Sequence, residues 1–194
     1  AACTELGFVL LGGVGGVARN PTRALPLLRE QCGKRSARAC AYLAFATEQG
    51  LADVKKDVAA AIDQYMPLCD IAKSDLAGGP PSQRRGGRTH DAFACYRLAT
   101  LAMRGHIRGS VRGIAQLFAE ACVGGTQVSK LACAPAAALF ARHDLEYQPR
   151  FASKSAEKID AVEMARMACT SGSPDGCSVL HWIFSRRDAQ ASSQ

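Results

Sequence analysis

Apolar positions in this chain recur in short helical stretches, and the same internal order returns several times. One kind of stretch opens on a small residue followed by cysteine: ACTELGFVLL from Ala2, ACAYLAFA from Ala39, ACYRLATLA from Ala94, ACAPAAALF from Ala132 and GCSVLHWIF from Gly176. Leucine follows the cysteine by three residues at Leu6, Leu43, Leu98 and Leu180, and a small residue comes next at Gly7, Ala44 and Ala99. Val9, Ala46, Leu101, Leu139 and Ile183 occupy the position six past the cysteine. That spacing puts one stripe on a helical face and predicts a helix opening at each cysteine. Gly13, Gly50 and Gly105, each ten residues past a cysteine, fit the left-handed residue that ends a helix.

A second kind of stretch ends on cysteine instead of starting there. PTRALPLLREQC, DVAAAIDQYMPLC, SVRGIAQLFAEAC and KIDAVEMARMAC close at Cys32, Cys69, Cys122 and Cys169. Asp57 and Ser110 stand where N-caps belong. The distance from opening to closing cysteine is 29 residues for Cys3 to Cys32, 29 for Cys40 to Cys69, 27 for Cys95 to Cys122 and 36 for Cys133 to Cys169. The last is longer because the segment from Arg142 to Lys158 is inserted. Two helices of this length cannot bury their apolar faces alone, whereas stacked hairpins share one continuous core. The pattern predicts an all-α fold: a right-handed α-solenoid of about four helix-turn-helix repeats with one concave face. Its units span about 2–38, 39–93, 94–131 and 132–175. A capping helix over 176–187 completes a single domain of 1–187, and residues 188–194 read as a frayed tail.

The ordered cysteine-bounded helix pairs resemble Sel-like repeats, relatives of the tetratricopeptide repeat, and among them the disulfide-linked bacterial form typified by the Helicobacter cysteine-rich proteins. That resemblance covers nearly the whole chain. It implies antiparallel helix pairs joined through cysteines seven residues apart, as at Cys32/Cys40 and Cys169/Cys177. The sequence departs from it at the insertion before Cys95, and in the fourth unit, where Pro135 enters the first helix and His143 stands in the glycine position. Nine cysteines allow many pairings in principle. The repeat register reduces them to Cys32–Cys40, Cys69–Cys95, Cys122–Cys133 and Cys169–Cys177, each a structural bridge from the end of one helix to the start of the next. Cys3 is left as a free thiol or the partner of an upstream residue. Four bridges at this density imply an oxidising compartment, the periplasm, outer surface or medium.

Rival uses of the cysteines find no pattern. Zinc sites of the Cys-x2-Cys kind and redox Cys-x-x-Cys motifs do not occur, and His90, His106, His143 and His181 form no i, i+4 pair. No cofactor is called for. Composition agrees with close-packed helices, since alanine is abundant and aromatic residues are only 6% of the chain. The longest apolar run, about Gly7 to Val17, is cut by Gly12, Gly13, Gly15 and Gly16 and falls short of the roughly 18 residues a membrane span needs. Ala1-Ala2-Cys3 resembles the end of a lipoprotein cleavage box. Because Ala-Cys recurs in the repeat register, a processed or trimmed chain whose Cys3 partner lies upstream is the expectation instead. The net charge of +7 is scattered and lacks the aromatic-interleaved basic stripe of nucleic-acid modules, so it reads as a solvated surface.

Candidate function lies in the irregular parts. Between Cys69 and Cys95, the stretch AGGPPSQRRGGRTHD from Ala77 reads as an exposed loop, with Arg84, Arg85, Arg88 and His90 as candidate contacts. The second insertion offers Tyr147, Arg150 and Phe151, residue types that interfaces favour. Ser155-Ala156-Glu157-Lys158 matches the S-x-x-K motif of penicillin-recognising enzymes without its companion elements, and Ser155 reads as a helix N-cap. Some proteins of the resembled family are associated with penicillin binding, and no residue pattern here adds to that. Trp182, beside Leu180, Ile183 and Phe184, reads as a core or cap residue. These features point to a non-catalytic scaffold or adaptor that binds a protein or peptide outside the cytoplasm, through its groove and insertions. The alternatives are an immunity or inhibitor protein with a single partner, and an enzyme or binding protein acting on cell-wall material.

Overall fold

A computed structural model describes residues 2–70, 76–77, 90–124, 129–147 and 159–191. Among them the chain is helix and turn without a strand. The helices are α1 (Ala2–Gly12), α2 (Pro21–Gly33), α3 (Ala37–Gln49), α4 (Val58–Leu68), α5 (Ala92–Met103), α6 (Val111–Val123), α7 (Ser129–His143), α8 (Ala161–Thr170) and α9 (Pro174–Ala191), with a 3₁₀ turn at Val14–Gly16. The expected second helices all form, and Asp57 and Ser110 cap α4 and α6 by accepting from the amides of Ala60 and Gly113. Pro135 is accommodated inside an unbroken α7. The last helix runs past the expected end of the cap, to Ala191.

Two compact units divide the chain, one built from residues up to 70 and 90–98, the other from residues 76–77 and from Ala99 onward, so that α5 is shared. In the first unit, α1 packs on α2, α2 on α3 and α3 on α4, and α1 also touches α3. In the second, α6, α7, α8 and α9 pack in the same succession, and α7 touches α9. Contact with both the next helix and the next but one is what stacked hairpins require. The core of the first unit gathers Leu10, Leu11, Leu25, Leu28 and Tyr42 around Ala24, Ala39 and Ala46. In the second, Leu117, Phe118, Phe140 and Met164 are buried among alanines such as Ala115, Ala136 and Ala168. Alanine lets helix axes approach closely, which is why so small a share of aromatic residues suffices.

All four expected bridges form, with Cα atoms 4.8 Å apart for Cys32–Cys40, 5.0 Å for Cys69–Cys95, 4.7 Å for Cys122–Cys133 and 4.4 Å for Cys169–Cys177. Cys3 is exposed and unpaired. The opening cysteine lies inside the first turns of its helix, not at the helix start. A cap stands four residues before it: Ser36 accepts from the amide of Ala39, Asp91 from Ala94 and Ser173 from Gly176. The residue just before the cysteine must be small, because it faces the preceding helix. Ala39, Ala94 and Ala132 are fully buried there, and a Cβ on Gly176 would come within 2.7 Å of the Ala168 carbonyl carbon.

The leucine stripe is only partly the core face. Leu98 is fully buried, Leu43 and Leu180 are half-buried, and Leu6 is 48% exposed. The most uniformly buried position is the small one beside it, at Gly7, Ala44 and Ala99. Gly13, Gly50 and Gly105 have φ of 70°, 69° and 79°, as the cap reading requires. In the fourth unit, where His143 replaces the glycine, the left-handed role moves one residue on to Asp144, with φ 49°. Aspartate tolerates that conformation better than most side chains.

Candidate functional site

Two polar constellations stand out, and they differ in whether their charges are already satisfied. In the first unit, Glu48 on the last turn of α3 is only 2% exposed. Arg97 of α5 donates to both of its carboxylate oxygens, through Nε to Oε2 at 3.0 Å and through a terminal nitrogen to Oε1. Tyr65 of α4 donates its hydroxyl to Oε2 at 3.0 Å, and the Gln49 amide donates to Oε1 at 2.9 Å. A parallel cluster joins Arg38 to Asp91, Nε to Oδ2 at 2.5 Å, while the other oxygen of Asp91 caps α5. Around these lies an aromatic group: Phe8 stacks on Tyr42 at 4.2 Å between centroids, Phe93 meets Tyr42 edge-on at 5.2 Å, and Arg97 sits 5.2 Å over Phe45.

Burial acts to lower the pKa of Arg38 and Arg97, but hydrogen bonds to Asp91 and Glu48 outweigh it and hold both above the ordinary value. Burial, reinforced by the neighbouring Glu48 charge, pushes the Tyr65 phenol far above its usual range, and burial raises Tyr42 in the same direction. These charges bind one helix to another and leave little for a ligand.

The second unit holds a cleft of about 530 Å³, within the roughly 300–1,000 Å³ range of ligand sites. Phe140 from the end of α7, Leu145 just beyond it, Val162 from α8 and Ile183 from α9 form its apolar walls. The chain's one tryptophan, Trp182, lies half-buried in it. Arg142 at the end of α7 places its guanidinium carbon 5.8 Å from the Trp182 ring centroid, and Arg186, one turn along α9, places its own at 5.1 Å. Asp144, in its left-handed cap, and Asp160, which accepts from the Glu163 amide at 2.9 Å, complete the lining. Of the two roles the sequence suggests for Trp182, core or cap, its half-buried place on the last helix between two arginines excludes the first.

Of the candidate contacts, Tyr147 packs edge-on against Phe140 of the cleft wall, centroids 6.2 Å apart. His90 lies in the first unit, its Nε2 3.4 Å from Cys95 Sγ. Arg84, Arg85, Arg88, Arg150 and Phe151 fall outside the described residues, as does Ser155, and the cap of α8 is Asp160. Cys69, His90 and Cys95 have donor atoms within 4.8 Å of one another. With the two sulfurs bonded together, that trio offers no thiolate to a metal. Among the described residues no helix is long and apolar enough to cross a membrane.

No family model matches the sequence, and no curated protein matches it. Among solved structures, the chain is similar to the Sel1 repeat protein from Oxalobacter formigenes, with a TM-score of 0.57 and 17% identity. The likeness covers 92% of this chain and 61% of that one. The fold is thus that of a Sel1-type helical repeat, stapled at its hairpin junctions by disulfides. The narrower likeness to the Helicobacter cysteine-rich type is not part of that finding.

Two outcomes follow from the first cluster. Glu48→Ala leaves the buried Arg97 guanidinium without its counter-charge and should cost about 3–5 kcal/mol in denaturant unfolding. Replacing Glu48 and Arg97 together by methionine should cost less than the two single changes summed. Burial favours the protonated form of both Tyr65 and Tyr42 in the fold. Their raised pKa contributes stability that is complete below the unfolded value of about 10 and lost as pH rises above it. Alkaline titration followed by phenolate absorbance should show Tyr65 ionising only together with loss of helical circular dichroism.

Proposed function

We propose that this protein is a non-catalytic binding scaffold that works in an oxidising compartment outside the cytoplasm and captures a protein or peptide partner. Four disulfides support the compartment, since such bridges persist where thiols are not kept reduced. The stacked hairpins support the scaffold, because a repeat array offers a rigid, extended surface whose loops vary without disturbing the core. The observation that carries the reading is the Trp182 cleft. A half-buried tryptophan flanked by arginines is the kind of anchor that carries binding energy at interfaces, and it sits beside the insertion of the fourth unit. In the proposal the candidate contacts Tyr147, Arg150 and Phe151, and those of the earlier loop, Arg84, Arg85, Arg88 and His90, are further residues offered to the partner.

Immobilised protein should retain a discrete partner from a periplasmic extract of the source cells. The Trp182→Ala variant, with unchanged helical circular dichroism, should retain it about tenfold less well or worse. Equal retention by the two proteins would remove the cleft from the function.

A further inference from the structure

Resting on that reading of the cleft, we infer that it recognises the carboxylates of an acidic peptide segment, with Arg142 and Arg186 as the recognition pair and Trp182 as their platform. The charge state of the two arginines leads to this. Among the described residues neither guanidinium is paired with a carboxylate, in contrast to Arg38 and Arg97, which are locked into buried pairs. Each has only the Trp182 ring. An arginine held by an aromatic face keeps its N–H edge free, and that edge matches a carboxylate with two parallel hydrogen bonds. Stacking also restrains the long side chain in advance, so less conformational freedom is lost when the ligand arrives.

The rest of the lining narrows the ligand further. Phe140, Leu145, Val162 and Ile183 give an apolar floor, which suits leucine-like or aromatic side chains between the acidic ones. Asp144 carries a carboxylate with no partner among the described residues. It can accept from a peptide N–H, and it repels a polymer with a negative charge at every unit. A peptide of mixed apolar and acidic residues therefore fits better than a nucleic acid. The chain's net charge of +7 favours the approach of an acidic partner.

Because Trp182 is the only tryptophan, its emission reports directly on the cleft. The probes are a short leucine–glutamate peptide, its glutamine copy and a thymidine oligonucleotide, titrated into the intact oxidised protein. The glutamate peptide should shift Trp182 emission saturably, less tightly as salt is raised. The glutamine copy should bind about tenfold more weakly or worse, the size expected for losing one charge-assisted hydrogen bond. Arg142→Gln and Arg186→Gln should each weaken the glutamate peptide about as much while leaving the glutamine copy unchanged, and Arg→Lys should recover only part. Equal binding of the two peptides by the unaltered protein would overturn the inference, as would tighter binding of the oligonucleotide. Either result, with partner capture still lost in Trp182→Ala, would leave the scaffold reading standing. Capture that survives Trp182→Ala would instead remove the cleft itself.

Discussion

The structure depends on one local constraint, repeated four times: the end of a helix and the start of the next are held with Cα atoms 4.4 to 5.0 Å apart. Three bridges close short loops, with sequence separations of 8, 11 and 8, and Cys69–Cys95 a longer one of 26. The chain-entropy model gives roughly 2.5–3.5 kcal/mol apiece, and four together weigh heavily beside a typical domain stability of roughly 5–15 kcal/mol. The close approach has consequences on both sides of the sulfur. Backbone must pass near backbone, which demands alanine or glycine immediately before the opening cysteine. The helix must begin a turn earlier, which places a serine or aspartate cap four residues before it. At Cys40, Cys95 and Cys177 the cap, the small residue and the cysteine form one unit that sets where the helix starts.

Much of this was legible in the sequence because it is local. N-caps at Asp57 and Ser110 and the left-handed glycines depend on a few neighbouring residues, and the structure agrees with each. The same spacing misplaced the helix starts, since the apolar run announces the buried face and not the cap that precedes it. A recurring serine or aspartate four residues before Cys40, Cys95 and Cys177 was the available signal. Leu6 shows another limit: the periodicity of α1 does not say which of its sides is covered. Glu48 and Arg97 lie 49 residues apart in sequence, and only the stacking of hairpins brings them together. No local pattern marks either as half of a buried pair.

The candidate site was hidden for a related reason. Where the repeat is regular, its buried charges are consumed in holding helix to helix. The fourth unit breaks register: histidine replaces glycine, Asp144 takes the left-handed turn, and an insertion follows. There the arginines meet a tryptophan in place of a carboxylate. Trp182 read as core or cap because its sequence neighbours are apolar, yet Ile183 alone of that group is buried while Phe184 is 46% exposed. Regular units supply rigidity, and the irregular one supplies an unsatisfied surface.

The central claim is that cysteines pair across adjacent helix ends and so fix the repeat register. Proteolysis of the unreduced protein, with free thiols blocked beforehand and the linked peptides identified by mass spectrometry, tests it directly. The account predicts Cys32 linked to Cys40, Cys69 to Cys95, Cys122 to Cys133 and Cys169 to Cys177, with Cys3 of this chain carrying the blocking group. Cys32 joined to any residue other than Cys40 would contradict the register and the stacking built on it.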